Sequence, residues 1–260
     1  MKKDDHRYLI EVQFLGFRYS GWQRQPGQRT VEGMLAKTLS FVLPQQRFKL
    51  LGASRTDAKV SAMGAVFQLW LEKGPLMDLG DFLNSMNANL PPDIRLLRME
   101  PAPREINLLQ DAKEKNYVYL FSFGEKNHPY CAPFMANILG DLDLGAMQRA
   151  AALFQGTHYF GNYTAQLQPN AQVIRTVARC ELLRNNLLHA SFFPEDSYAL
   201  HVCGKGFMRY QIRMMMGALI ALGKGELGAD TIVRSLRQGE IVKMATVAPG
   251  SGLHLERLDF

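Results

Sequence analysis

An arginine and an aspartate stand two residues apart in Gly52-Ala53-Ser54-Arg55-Thr56-Asp57-Ala58-Lys59-Val60-Ser61-Ala62-Met63-Gly64, a stretch made largely of small side chains. A carboxylate beside a guanidinium stays ionised at neutral pH, because the opposite charge favours its charged form. An ionised, oriented Asp57 suits a nucleophile or a base. Small neighbours let another backbone or a ligand approach closely, and loops held by rigid strands are where chemistry concentrates. The same residues also fit an ordinary hairpin connection with a solvated Arg–Asp pair. No second carboxylate lies nearby to complete the acid–base pair of a glycosidase. A Gly-rich phosphate loop, a Ser-His-Asp arrangement and an H-E-x-x-H motif are all missing, so hydrolase and nucleotide-binding motifs lend no support.

Three other groups bear on chemistry. Tyr117 and Tyr119 share a strand face with Phe121 and Phe123, which is either an aromatic core face or a platform on which a base can stack. Tyr117 is the better stacking candidate, being nearest the strand start beside Lys115 and Asn116. Lys205, Arg209 and Arg213 are spaced four apart across the start of an expected helix and so form one stripe, either a solvated basic face or one that meets phosphates or acidic side chains. His158 and Tyr159, in Gly156-Thr157-His158-Tyr159-Phe160-Gly161-Asn162-Tyr163, either line a site or order a turn.

The elements that must position these residues follow from hydrophobic periodicity. Tyr8, Ile10, Val12 and Phe14 alternate with Leu9, Glu11, Gln13 and Leu15, a strand pattern. Thr30 caps a helix whose apolar stripe is Val31, Met34, Leu35, Thr38, Leu39 and Val42. Strands flank the Arg55–Asp57 loop, a short helix follows around Leu79, Phe82, Leu83 and Met86, and Ile94 to Met99 reads as a strand. The order β-α-β-β-α-β is the ferredoxin-like unit. The second half repeats it, with a strand at Tyr117–Phe123 and a helix from about Asp143 to Phe154, stopped at Gly156. Strands are expected at 173–184, 187–193 and 198–202, a long helix at 207–222, a shorter one near 231–236 and a last strand at 253–260. The expected fold is therefore α+β: two ferredoxin-like (βαββαβ) halves, residues 1–104 and 105–260, with a joined, largely antiparallel sheet and a cleft between them.

Composition narrows the class. Apolar residues make up 47% of the 260 residues, so a sizeable core is expected. Thirty Lys+Arg against 24 Asp+Glu leave a net charge of +6, compatible with a polyanionic partner. Cys131, Cys180 and Cys203 are widely spaced and form no C-x-x-C pair, which argues against a disulfide framework and a structural zinc site. The residues ahead of the first strand contain no apolar signal-peptide region, and no stretch reaches the roughly 20 apolar residues of a membrane span. A soluble cytoplasmic protein is expected.

Six motifs then match a family in order and spacing. They are Gly21-Trp22-Gln23-Arg24-Gln25; Arg55-Thr56-Asp57-Ala58; Asn87-Ala88-Asn89-Leu90-Pro91 with Asp93-Ile94; Lys115-x-Tyr117-x-Tyr119; Arg175-Thr176-Val177; and Gly206-Phe207 leading to Ile212-Arg213-x-Met215-x-Gly217. The chain resembles the TruA-type tRNA pseudouridine synthases from Tyr8 to about Phe260. The resemblance implies paired ferredoxin-like halves around a basic cleft, a homodimer, and isomerisation of uridine in the anticodon stem-loop of tRNA, without metal or cofactor.

Asp57 matches the catalytic aspartate, which attacks the flipped uridine or abstracts a ribose proton. Arg55 would orient it and help displace the target base. Tyr117 would stack on the uracil and Arg213 would pair with Asp57. Arg24, Lys59, Asn87, Asn89, Lys115, His158, Arg175, Lys205, Phe207 and Arg209 would bind substrate or RNA, in part through salt-sensitive phosphate contacts.

The chain departs from the family pattern at several places. The usual glycine before the arginine is Ser54, and the usual Asp-Ala-Gly-Val-His reads Asp57-Ala58-Lys59-Val60-Ser61. If the loop keeps φ > 0 at position 59, Lys59 costs roughly 1 kcal/mol. The usual Phe-x-Ala-Arg appears as Ile106-Asn107-Leu108-Leu109, without its arginine, and an early aspartate is replaced by Leu15. Action on a different RNA, and RNA binding or folding without catalysis, are the alternatives these changes leave open.

Overall fold

The computed structural model describes residues 6–103, 105–165, 167, 170–244 and 246–260. The chain divides into two compact units, Met1–Lys113 with Leu255–Phe260, and Glu114–His254. Both are α+β with mainly antiparallel strand pairing.

In the first unit, β1 (His6–Phe14) pairs antiparallel with both β3 (Ser61–Leu71) and β4 (Ile94–Pro101), and β2 (Phe48–Gly52) pairs with β3. The resulting order β4-β1-β3-β2, with α1 (Val31–Val42) and α2 (Leu79–Asn89) between strands, is the ferredoxin-like arrangement. One sheet face, bearing Tyr8, Ile10, Val12, Phe67, Leu69 and Leu71, is buried. So is the expected stripe of α1 at Val31, Leu35, Thr38 and Leu39, together with Phe82 and Met86 of α2. Thr30 Oγ1 accepts the Gly33 N–H at 3.2 Å, and Asp78 Oδ1 accepts the Asp81 N–H at 2.8 Å, so both helices start at side-chain caps.

In the second unit, β5 (Glu114–Gly124) pairs antiparallel with β9 (Tyr198–Gly204), β9 with β8 (Ile174–Arg184), and β8 with β7 (Gly156–Tyr159). A short β6 (Ala136–Leu139) runs parallel to β5. The helices are α3 (Leu144–Ala151), α4 (Gln211–Gly223) and α5 (Ala229–Ser235), and β10 (Leu253–Asp259) carries the chain back into the first unit. Helix α4 is buried nearly all round, with Met214, Met215, Met216 and Leu219 in the core, as packing rather than as a cofactor box. Against α3 its Gly223 has no Cβ because one would lie 2.6 Å from Met147 Sδ.

Two sequence expectations fail here. Residues 187–193 form no strand. Asn185 ties the chain into a local turn, its side chain bonding Leu187 N–H, Leu188 O and Ser197 Oγ. Leu187, Leu188, Phe192 and Phe193 then pack as a loop on Val118, Leu120, Cys131, Met135 and Ala199. Their apolar character serves a cover over β5. The long helix also begins at Gln211, four positions later than periodicity predicts, because Tyr210 before it adopts φ +65°, a left-handed conformation no helix continues through. Lys205, Arg209 and Arg213 therefore do not form one helical stripe: the first two precede the helix and only Arg213 lies on it.

Candidate active site

Asp57 sits on the connection between β2 and β3, and three close approaches hold that connection in place. Gly52 at the end of β2 lies under the Trp22 indole, where a Cβ would fall 2.5 Å from Nε1. Gly21, at φ +106°, lets the chain pass so close that a Cβ would fall 2.7 Å from the Thr56 carbonyl, and the Trp22 N–H bonds that carbonyl at 3.1 Å. Gly16 packs on Val60, and its N–H donates to Ser61 Oγ at 2.9 Å. The serine standing where the family pattern has histidine thus has a structural task.

The turn itself closes with the Val60 N–H on the Asp57 carbonyl at 3.2 Å, while the Lys59 N–H reaches the Tyr19 carbonyl at 3.0 Å. Lys59 has φ +66°, so the position that usually holds glycine keeps the left-handed backbone with a lysine in it. Its ammonium lies 5.6 Å from the Phe17 ring centre. Asp57 is partly exposed, and Thr56 Oγ1 is buried without a hydrogen-bond partner among the described residues. Arg55 is exposed.

Behind the turn lies a polar network that sequence reading did not identify. Asp93 accepts bonds from the Tyr19 phenol at 2.6 Å and from Arg18 at 2.7 and 2.9 Å, and Arg29 stacks 5.1 Å over the Tyr19 ring. Asp93 belongs to a recognised motif, which was the available signal, yet nothing local points to Tyr19.

The remaining first-unit candidates are spread out. Arg24 is exposed, with its N–H on Glu32. Asn87 commits both amide atoms to the Leu96 backbone at 2.8 and 2.9 Å, pinning α2 to β4, and Asn89 bonds the Ser85 carbonyl.

In the second unit Tyr117 is 7% exposed on β5 and meets Phe207 edge-on, ring centres 5.5 Å apart. Gly204 makes room for Phe207, since a Cβ there would fall 3.2 Å from its Cζ. Lys115, opposite Gly204 in the ladder, has its pKa lowered by burial. Tyr119 is fully buried, with its hydroxyl donating to the Pro249 carbonyl at 2.9 Å; burial raises its pKa, partly offset by the charge of Arg213. Arg213 Nε donates to the Ala248 carbonyl at 2.8 Å. The guanidiniums of Arg213 and Arg209 lie 4.8 and 5.0 Å from the Tyr210 ring centre, so one aromatic ring with a left-handed backbone collects both. Lys205 is exposed. Arg175 is partly buried on β8, its Nε without a partner among the described residues. Opposite it on β7, His158 bonds the Gln155 carbonyl at 2.7 Å, the turn-ordering alternative.

A loop-borne carboxylate on the first unit and, on the second, a strand tyrosine and arginines gathered on one aromatic ring are residue types suited to an enzyme that acts on a nucleoside. Comparison with known proteins gives this class its family. The sequence pattern described as tRNA pseudouridine synthase matches residues 150–260. A protein from Oenococcus oeni named tRNA pseudouridine synthase A is 30% identical over 256 residues, 96% of either chain. Bearers of the same name from Pseudothermotoga lettingae and Thermodesulfovibrio yellowstonii are 30% and 29% identical, covering 98% and 96% of this chain and 99% and 97% of their own. The chain belongs to the tRNA pseudouridine synthase family, and it is an isomerase. No helix among the described residues is long and apolar enough to cross a membrane.

Proposed function

We propose that this chain converts uridine to pseudouridine in the anticodon stem-loop of tRNA, acting as a homodimer, with Asp57 as the catalytic carboxylate. The observation that supports this reading is the Asp57 turn. Its backbone is tied by the Tyr19 and Trp22 segments and closely flanked by Gly16 and Gly21, while the carboxylate side chain is left partly exposed. A group held this way loses little further freedom when a substrate arrives.

The reaction needs no co-reactant. The bond between uracil N1 and ribose C1′ breaks, the uracil turns, C5 bonds to C1′, and the C5 proton is lost while N1 regains one. Asp57 acts at the sugar, either on C1′ or on a ribose proton. Arg55, exposed on the same turn, is available to the extruded nucleotide. Tyr117, held edge-on by Phe207, offers a ring for the uracil and an oxygen for the C5 proton. Arg213, fixed by Ala248 and Tyr210, contributes positive charge where negative charge develops. Lys205 and Arg209 serve the phosphates.

Chemical mapping of pseudouridine in RNA from cells with and without the protein tests the substrate. Sites in the anticodon stem-loop should disappear with the gene and return with the wild-type chain but not with Asp57→Asn, whose turnover should fall by at least about 100-fold. An unchanged map, or full activity in Asp57→Asn, overturns the reading. Light scattering at micromolar concentration should report twice the mass of one chain.

A further inference from the structure

The first unit carries a pocket of about 360 Å³ that includes none of the residues assigned above. Strand register builds its floor. Arg7, Trp70 and Lys49 stand opposite one another on β1, β3 and β2, so the three side chains share one sheet face, the one turned away from the buried Phe67 and Leu69. In the next row on that face lies Gln68, and residues 106–108, following β4, supply a wall. That wall lies in the stretch that reads Ile106-Asn107-Leu108-Leu109 in place of the family's usual Phe-x-Ala-Arg.

Gln68 gives the pocket its chemistry. It is 2% exposed, yet its Nε2 is buried without a hydrogen-bond partner among the described residues. Folded proteins rarely leave a buried amide N–H unsatisfied, and an apolar side chain of similar shape would fill the position without that cost. Two residues along the same strand face, Trp70 presents an indole that is only partly buried. Lys49 places its ammonium 5.6 Å from that ring centre, and Arg7 flanks the ring from the other side in the ladder. A buried amide with an unpartnered N–H, an aromatic face and two cations are groups that suit a nucleotide: base edge, base plane and phosphate.

We propose that this pocket binds a single nucleotide. Its base stacks on Trp70, an acceptor atom of the base takes the Gln68 Nε2 proton, and its phosphate lies between Lys49 and Arg7. Glu72, at the rim, suits ribose hydroxyls and disfavours a longer phosphate chain. The volume is at the small end of ligand sites, enough for one nucleotide. A free mononucleotide and an unpaired nucleotide of a bound RNA share this chemistry.

The chain has two tryptophans, and Trp22 is 1% exposed, so quenching of tryptophan fluorescence by a ligand reports on Trp70. The titration uses the Asp57→Asn protein, so that binding is read apart from any turnover, first with uridine 5′-monophosphate and then with a short oligouridylate. Saturable quenching is expected, weakened about ten-fold by Gln68→Leu and by Lys49→Ala. Saturation by the monophosphate assigns the pocket to a free nucleotide, and saturation by the oligonucleotide alone assigns it to RNA. Lys49 is exposed, so Lys49→Ala leaves the fold intact and carries the test if Gln68→Leu does not fold. No saturation with either probe, or quenching that both substitutions leave unchanged, overturns the proposal. Failure of the tRNA isomerase reading leaves this outcome untouched.

Discussion

Tyr19 joins Asp93 to the Asp57 turn: its phenol donates to the Asp93 carboxylate at 2.6 Å, and its carbonyl accepts the Lys59 N–H at 3.0 Å. Burial pushes the Asp93 pKa up, but the bonds from Tyr19 and Arg18 outweigh it and hold the carboxyl below its usual range. Tyr19 moves the other way, its pKa pushed up to about 12 by burial and by its bond to Asp93. A neutral phenol and an ionised carboxylate therefore share this site through the working pH range.

Tyr19→Phe removes the bond to Asp93 but keeps the ring and the backbone contact to Lys59. The expected loss of stability is about 1 kcal/mol. The raised folded pKa favours the neutral phenol, so its stabilisation is complete below pH 10 and is lost as pH rises from 10 toward about 12. Denaturant melts across that interval should show wild type losing more stability than the variant. A variant that loses as much as wild type would remove Tyr19 as the cause.

Lys59→Gly should stabilise the protein. Lys59 holds φ +66°, a strain of about 1–3 kcal/mol for a residue with a Cβ, while glycine's extra freedom in the unfolded chain returns part of that. The net gain expected is about 1 kcal/mol, or a rise in Tm of about 2–4 °C. Calorimetry on the two proteins decides it, and a lower Tm in the variant would mean that the contact of Lys59 with Phe17 outweighs the strain.

The features legible in the sequence are those set by near neighbours. Thr30 announced its helix because cap and amide are three residues apart, and the strand at Tyr8–Phe14 because alternation is a local property. The positive φ at Lys59 followed from a family motif in which glycine holds that place. What stayed hidden depends on distant partners. Tyr19 and Asp93 are 74 residues apart, and neither type announces the other. Leu187 to Phe193 looked like a strand because apolar spacing records that a residue is covered, not what covers it.

His254 should set an acid limit on stability. It is 2% exposed and its Nε2–H donates to the Phe134 carbonyl at 2.7 Å. Burial lowers its pKa below the ordinary 6.5, and the bond to Phe134 only partly opposes that. A folded state that prefers the neutral ring is fully favoured above pH 6.5 and loses stability as pH falls below it, by up to about 1.4 kcal/mol per pH unit for one group. His254→Gln keeps an N–H donor and cannot titrate. Its melts between pH 7 and about 4 should fall less steeply than wild type, and equal slopes would place the acid sensitivity elsewhere.

Lys205→Ala should weaken RNA binding through charge alone. Lys205 is exposed just after β9, on the short segment that also presents Phe207 and Arg209 ahead of α4. In the proposed role this lysine meets a phosphate as a point charge and reads no base, so its loss should weaken tRNA and unrelated RNA by the same factor. Each phosphate contact contributes about one unit to the slope of log affinity against log salt, so the variant's slope should be shallower by about 1. Filter binding at several salt concentrations measures both quantities. Arg209→Ala differs in an instructive way: its guanidinium already lies 5.0 Å from the Tyr210 ring, so its removal also releases Tyr210 from one of its two cations. An unchanged slope in Lys205→Ala, with binding otherwise intact, would take this lysine out of the RNA interface.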